Sequence, residues 1–430
     1  MSDLTNNTEF KNIQEKVKQR PLNRKKLLRR TIITASMAVI FGVLACITFL
    51  VLEPVFSNIL HPEEEPELVE IPMDTDEILP EDMIFEDEEE EQEPQIQIIE
   101  RSKDVDPITQ YRDQYNNLYK VADSVQKSLV KITSVSQDVD WFDNAYENKN
   151  SSSGLYITDN GKELLFLCRT ESIKDAEQIN VTLSDGTVAE GTIKASDFNI
   201  GMSIVAVPME GLSDSTKDNM VPAALANSRV ATILATPVIA IGRPYGADNS
   251  VGYGMLTSKG SYIYMTDQNY EMLTTDIYGS SDATGIIVNL KGEVLGIIDQ
   301  SHNSSDMKNI ISAIGISDIK RSIERMSNGR TRAFLGINGA DVTAEANEQS
   351  GVPIGAYVTG IIMDSPAMNA GIQSGDVIVR IDDKEIRSFS NYTEYMESST
   401  PDTTVNVVIM RQSGEEYREL TLEVTLKEMS

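Results

Sequence analysis

The chain has 430 residues, 37 of them Lys or Arg and 67 Asp or Glu, for a formal net charge of −30. That balance excludes a nucleic-acid partner, because phosphate binding needs clustered basic residues. A 40% apolar fraction is enough for real cores in two or three domains. The only histidines are His61 and His302, which limits any chemistry that uses imidazole as base or metal ligand.

The charge is unevenly placed. Residues 1–30 hold nine basic and three acidic residues and read as a basic cytoplasmic head. The 22 residues TIITASMAVIFGVLACITFLVL, 31–52, carry no charge. About 20 apolar residues in a helix span a bilayer core of about 30 Å. RKKLLRR immediately before the run sets the head on the cytoplasmic side and the rest outside, by the positive-inside rule. The reading is a single-pass cell-membrane anchor; the rival, a cleaved signal peptide, usually has a shorter apolar run and small residues at its end. Residues 53–106 then hold 21 acidic and two basic residues. Like charges spaced by proline self-repel, so the tract reads as an acidic, disordered stalk. Apolar residues within IPMDTDEILPEDMIF keep a second reading open, a docking peptide. Cys46 lies in the apolar span and Cys168 in a later apolar run, so they are not expected to pair.

From about residue 120 short apolar runs alternate with turn signals. SLVKITSV and SGLYIT read as strands. INVTLSDGTVAEGTIKA reads as a hairpin turning at Asp185-Gly186, and GIIVNLKGEVLGII as another at Lys291-Gly292. Many short strands with little helix predict an all-β barrel or sandwich. SDIKRSIERMSNG, 317–329, is amphipathic, with Ile319, Ile323 and Met326 on one face and Gly329 as a stop, and closes that unit. Tyr111, Tyr115 and Tyr119 recur every four residues ahead of the first strand. They mark one helical face, which packs on its own barrel or joins protomers.

The last hundred residues carry DSPAMNAGIQSGDVIVRIDDKEI. This resembles the PDZ family's S-P-A-x-x-A-G-[IL]-x-x-G-D-x-I pattern. The resemblance implies that Phe334, Leu335, Gly336 and Ile337 form the carboxylate-binding loop and edge strand. In that mode an extended C-terminus adds to the sheet edge and loop N–H groups hold its carboxylate. Tyr392, Tyr395 and Met396, on the helical NYTEYMESS, then line the groove, unless they are simply core.

A β-rich domain followed by a PDZ domain is similar to the HtrA/DegP family of trypsin-like serine proteases. VIAIGRPYG, SVGYGMLTSKG and LTTDIYGSSDATGIIVNLKGEVLGI match further stretches of that family. The implied fold is mostly β: a chymotrypsin-like double β-barrel over 107–329, then a PDZ domain over 330–430, behind one N-terminal transmembrane helix. The catalytic positions do not match. The family's G-N-S-G-G-P falls on SDATGI, which puts Ala283 where the nucleophile belongs. The His position falls on Glu171 and the Asp position on Gly201. Alanine has no nucleophilic atom, and serine catalysis needs a base within hydrogen-bond reach. A displaced triad using Ser280 or Ser281 lacks a base, because His61 lies in the stalk and His302 beyond the next strand. Ser281 and Thr284 also replace glycines of the oxyanion loop.

With no His/Cys cluster, no Asp-rich calcium loop and no phosphate loop, neither metal nor cofactor is expected. The expectation is a membrane-anchored, extracytoplasmic pseudoprotease. It would bind unfolded or C-terminal peptides in envelope protein quality control, as a homotrimer or mixed with an active relative. Two rivals stand: an active serine endopeptidase with a displaced triad, and a structural membrane protein working through its acidic stalk.

Overall fold

The structure, a computed structural model, describes residues 24–60, 66–74, 106–139, 145–414 and 416–429. The head before residue 24, His61, and the acidic tract over 75–105 lie outside the described residues. The chain divides into two units at Glu65/Pro66.

In the first unit, helix α1 (Arg24–Leu60) runs through the uncharged stretch. Its side chains are described at 28–29 and 32–48, all exposed. Among the described residues no helix is long and apolar enough to cross a membrane. The uncharged run, 31–52, is longer than the 32–48 stretch.

The second unit begins with an extended segment, 66–74, which the sequence placed in the stalk. It lies against the folded region instead. The Val69 N–H donates to Asn328 Oδ1 at 2.8 Å and the Ile71 N–H to Glu324 Oε2 at 3.0 Å. Val69 and Ile71 join the core, and Asp74 pairs with Lys320 at 2.6 Å. Apolar residues at alternate positions let one face of an extended chain bury while the acids between stay wet.

Helix α2 (Pro107–Gln126) leads into six strands, β1 (Leu129–Val139), β2 (Ala145–Asp159), β3 (Glu163–Arg169), β4 (Gln178–Thr182), β5 (Val188–Asp197) and β6 (Met202–Pro208). They close a barrel in the order β1-β2-β3-β6-β5-β4. After α3 (Asp214–Asn219), β7 (Pro237–Arg243), β8 (Ser250–Met265), β9 (Gln268–Tyr278), β10 (Thr284–Val288), β11 (Val294–Ile298) and β12 (Ile310–Gly315) close a second barrel, ordered β10-β11-β12-β9-β8-β7. Both expected hairpins form. Gly186 and Gly292 sit at φ +88° and +83°, a conformation glycine adopts without a Cβ penalty.

Strand β3 shows why several strands read as unbroken apolar runs. Leu164, Phe166 and Cys168 fill the first barrel, while Leu165 and Leu167 face a core shared with the second. A strand buried on both faces has no polar alternation. On β10, Ile286 and Val288 enter the shared core and Ile287 the second barrel's interior. Helix α4 (Ile316–Ser327) covers the seam with Ile319, Ile323 and Met326, as its spacing implied.

The C-terminal part is a sheet in the order β14-β15-β16-β18-β19. Its strands are β14 (Ile337–Asp341), β15 (Ala356–Ile361), β16 (Val377–Ile381), β18 (Thr404–Ser413) and β19 (Glu416–Thr425); β17 (Lys384–Glu385) pairs with β16, and β13 (Ala333–Phe334) with β20 (Lys427–Glu428). Helices α5 (Ala344–Ser350), α6 (Pro366–Ala370) and α7 (Phe389–Ser398) complete it. The D-S-P-A-x-x-A-G string is an assembled cap. The Ser365 hydroxyl accepts from the Met368 N–H, Pro366 occupies the first turn, and Gly371 closes α6 at φ +86°. Asp376, from the following G-D, is buried and accepts two bonds from Arg411 at 2.7 Å.

Candidate functional site

Two sites are built by this fold, one at the seam of the barrels and one at the edge of the C-terminal sheet.

At the seam, β3 ends in Arg169 and leads to Thr170–Ser172. The Thr170 N–H donates to the Gly201 carbonyl at 2.8 Å, so the Glu171 and Gly201 positions adjoin. Glu171 turns outward and pairs with Lys174 at 3.1 Å, its side chain 73% exposed. Gly201 sits in a turn at φ +65° and presents no side chain.

Ala283 is fully buried, and its methyl packs into the interior of the second barrel beside Ile287, Leu295 and Ile311. Its N–H donates to the Ser280 carbonyl at 3.2 Å, and the Asp282 N–H to Ser280 Oγ at 3.2 Å. The Ala283 amide, aligned with one oxyanion-hole donor, is therefore used within its own turn. An oxyanion hole needs such donors free and aimed at the developing charge.

Between the barrels, the Ser153 N–H donates to Thr284 Oγ1 at 3.2 Å, and Arg169 pairs with Asp299 at 3.5 Å. The space left among Ser153, Cys168, Arg169 and Thr284 is ≈ 10 Å³, about one water in size. Burial pushes the Cys168 thiol up to about 12, which leaves it unreactive. His302 is exposed in the turn after β11, and among the described residues no hydrogen bond joins it to Ser280 or Ser281. Glu171 is thus exposed, Gly201 offers no side chain, and Ala283 is buried.

The second site lies where β14 forms the sheet edge beside α7. Gly336 is at φ +90°, and a Cβ there would meet Ser365 Cβ at 2.3 Å, so only glycine fits. The turn aims three successive N–H groups at one point, an anion-holding nest. A carboxylate already sits there. It belongs to Asp267, in the two-residue turn between β8 and β9, and is fully buried. Leu335 N donates to its Oδ2 at 2.9 Å, Ile337 N to its Oδ1 at 2.9 Å, and Gly336 N to both, at 3.0 and 2.8 Å. The Tyr392 hydroxyl adds a fifth bond at 2.6 Å. The Asp267 N–H in turn donates to the Ile337 carbonyl at 2.8 Å, and Asn269 Nδ2 to the Gly339 carbonyl at 3.0 Å.

The expected groove residues separate accordingly. Leu335, Gly336, Ile337 and Tyr392 surround the bound carboxylate. Phe334 pairs with Lys427 on β20, beside the loop. Met396 is buried in the domain core. The Tyr395 hydroxyl donates to Asp382 at 2.6 Å, and the residue packs against the same core.

A charge cluster holds the same junction. Arg325 on α4 bonds Asp197 and, at 2.9 Å, Glu397 on α7. Arg332 lies 3.4 Å from Glu397 and 3.9 Å from Asp197, charge contacts rather than hydrogen bonds, and its Nη2 donates to the Asp267 carbonyl at 3.0 Å. The surrounding anions hold Arg332 above its ordinary range although burial opposes this. Sequence reasoning missed Asp267 and this cluster. The one local signal was the strand–turn–strand pattern around Met265–Gln268, which marks a hairpin but not what its tip touches.

A family described as a PDZ domain matches residues 333–426, and one described as a trypsin-like peptidase domain matches residues 152–297. Serine endoprotease DegS of Escherichia coli (strain K12) is 26% identical over 294 residues, which cover 66% of this chain and 79% of DegS. A probable periplasmic serine endoprotease, DegP-like, of Pseudomonas fulva (strain 12-X) is 28% identical over 276 residues, 62% of this chain and 54% of that one. Among solved structures, the HtrA-type protease AlgW with decapeptide superposes with a TM-score of 0.52 at 19% identity, over 73% of this chain and 99% of AlgW. AlgW with tripeptide gives 0.52 at 20%, over 74% and 97%. Those two structures bear on the fold alone. The chain carries an HtrA/DegS-like trypsin-like peptidase domain with a C-terminal PDZ domain.

Proposed function

We propose that this protein is a membrane-anchored, extracytoplasmic pseudoprotease of the HtrA type, which captures peptides or protein C-termini through its PDZ domain and does not cut them. The observation that carries the reading is Ala283, whose methyl is enclosed in the second barrel and whose N–H is spent on Ser280. No nucleophilic side chain is then offered at the Ala283 position, and losing the nucleophile leaves background rates only.

The anchor is supported by the uncharged run 31–52 behind RKKLLRR and by the continuous helix through it. The Pro-spaced acids that follow suit a spacer outside the membrane. Self-association as a trimer, or with an active relative, is supported by the Tyr111, Tyr115 and Tyr119 stripe on α2, which is 45–61% exposed and meets its own barrel through Tyr115 on Tyr253. A role in envelope protein quality control follows from the kinship with DegS and periplasmic DegP-like proteases.

A serine-reactive fluorophosphonate probe tests the reading on the purified full chain. The expected result is no covalent labelling and no cleavage of unfolded casein. Labelling of Ser280 or Ser281 would establish an active enzyme with a displaced nucleophile instead.

A further inference from the structure

We propose that Asp267 is a built-in ligand of the PDZ carboxylate loop, so that the β8–β9 hairpin of the protease-like domain keeps the groove closed to C-termini until the two domains separate. The inference rests on the peptide-capture reading and supplies its regulation.

The argument is one of chemistry. A C-terminal residue bound by β-augmentation presents a carboxylate to loop N–H groups and its own N–H to a carbonyl of the edge strand. Asp267 presents both. Its side-chain carboxylate takes the N–H groups of Leu335, Gly336 and Ile337, and its backbone N–H takes the Ile337 carbonyl. Asn269, two residues on, continues along β14 to the Gly339 carbonyl. The hairpin tip thus stands where the end of a ligand would stand, with an internal aspartate in place of the terminal residue.

The conformation is adapted to this contact. Asp267 adopts φ +59°, an uncommon backbone state for a residue other than glycine that Asp tolerates better than most, and this turns its carboxylate outward from the hairpin tip. It is fully buried, and a buried carboxylate is sustained only where donors satisfy it, as four do here through five bonds. Arg332, in the linker to the PDZ domain, donates to the carbonyl of the same residue. No free carboxylate can reach the nest while Asp267 fills it.

A competitor inside the molecule lowers apparent affinity by the fraction of chains in which the site is open. The experiment compares wild-type full chain with Asp267→Ala and Asp267→Asn. The probes are fluorescein-labelled decapeptides ending in Val, Leu, Phe or Tyr, each with a free carboxylate and as the C-terminal amide. Hydrogen exchange at the Leu335, Gly336 and Ile337 amides is followed in parallel. The expected result is at least tenfold tighter binding of free-carboxylate peptides by Asp267→Ala, about 1.4 kcal/mol, a smaller gain for Asp267→Asn, and no gain for amides. The three amides should be protected in wild type, exposed in Asp267→Ala and protected again by saturating peptide. Equal, carboxylate-dependent binding by wild type and Asp267→Ala overturns the built-in ligand and leaves peptide capture standing. Rapid exchange of the three amides in wild type also overturns it. If no variant binds peptide, yet wild-type protection is lost in Asp267→Ala, the internal ligand holds and the capture reading fails.

Discussion

Replacing Glu397 by Gln should loosen the PDZ domain from the barrels. Glu397 and Asp197 face Arg325 and Arg332 in a cluster whose four side chains are each 6% exposed or less. Two cations and two anions cancel there. The Gln side chain preserves shape and one acceptor but leaves two guanidinium groups over a single carboxylate. Removing one partner of a buried pair costs about 3–5 kcal/mol, because the remaining charge stays desolvated. The retained acceptor for Arg325 argues for the low end, about 3 kcal/mol, which is roughly two orders of magnitude in the docking equilibrium. Glu397 lies on α7 of the PDZ domain and Asp197 at the end of β5, so the cost falls on the junction between domains. The assay is limited trypsin digestion with calorimetry. Wild type should resist cleavage after Arg332, which is 4% exposed, and unfold cooperatively. Glu397→Gln should be cut at Arg332 and show a separate, earlier PDZ transition. A second variant, Arg325→Met with Glu397→Leu, should lose less than Glu397→Gln alone, since an apolar replacement carries no stranded charge. Unchanged protection of Arg332 in Glu397→Gln, with stability within about 0.5 kcal/mol, would refute the cluster as the clasp.

Other outcomes follow from the same geometry. Gly285→Ala should cost about 3 kcal/mol in urea unfolding, because the residue sits at φ +129° and a Cβ would lie 2.1 Å from the Ile241 carbonyl oxygen. Ile71→Ala should cost about 2 kcal/mol and free the 66–74 segment to protease, since Ile71 is one of two buried core residues, with Val69, that hold this strap. Ala283→Ser should not restore labelling by a fluorophosphonate; burying its hydroxyl in the apolar interior should instead cost about 1–3 kcal/mol. Burial raises the Asp318 carboxyl above its ordinary 3.8, although the Glu271 N–H and Arg229 oppose this. The folded state then holds the proton more tightly than the unfolded chain, so this group's contribution falls as pH rises from about 4 through the raised value. Asp318→Asn should flatten that slope in urea denaturation measured across mildly acidic pH.

Much of the fold was legible locally. The S-P-A-x-x-A-G string specifies a helix cap and a left-handed stop using residues within seven positions of each other, so it reads the same in any context. Asp185-Gly186 and Lys291-Gly292 likewise demanded turns. The inward face of α4 was visible from its spacing. By contrast, LLFLC in β3 announced only that it was buried. Which side chains enter the barrel and which enter the shared core depends on closing the sheet, a long-range event. Residues 66–74 look like acidic stalk by composition, because two apolar positions settle their docking while the acids of the surrounding 53–106 tract dominate its average.

By itself, the sequence determined the absence of a serine at 283 and of imidazole near it, the strand-rich domain, the PDZ motif, and the split between a basic head and an acidic tract. Those follow from residue identity and short-range backbone preference. The tertiary structure alone decided that the Ala283 methyl is folded into a barrel interior and that the Ala283 and Asp282 amides are spent within their own turn. It also decided that the carboxylate loop is filled by Asp267, 69 residues from Gly336. No local pattern encodes such a contact, because its bonds form only once a barrel has closed, a hairpin tip has turned, and a second domain has docked with its three amides aligned.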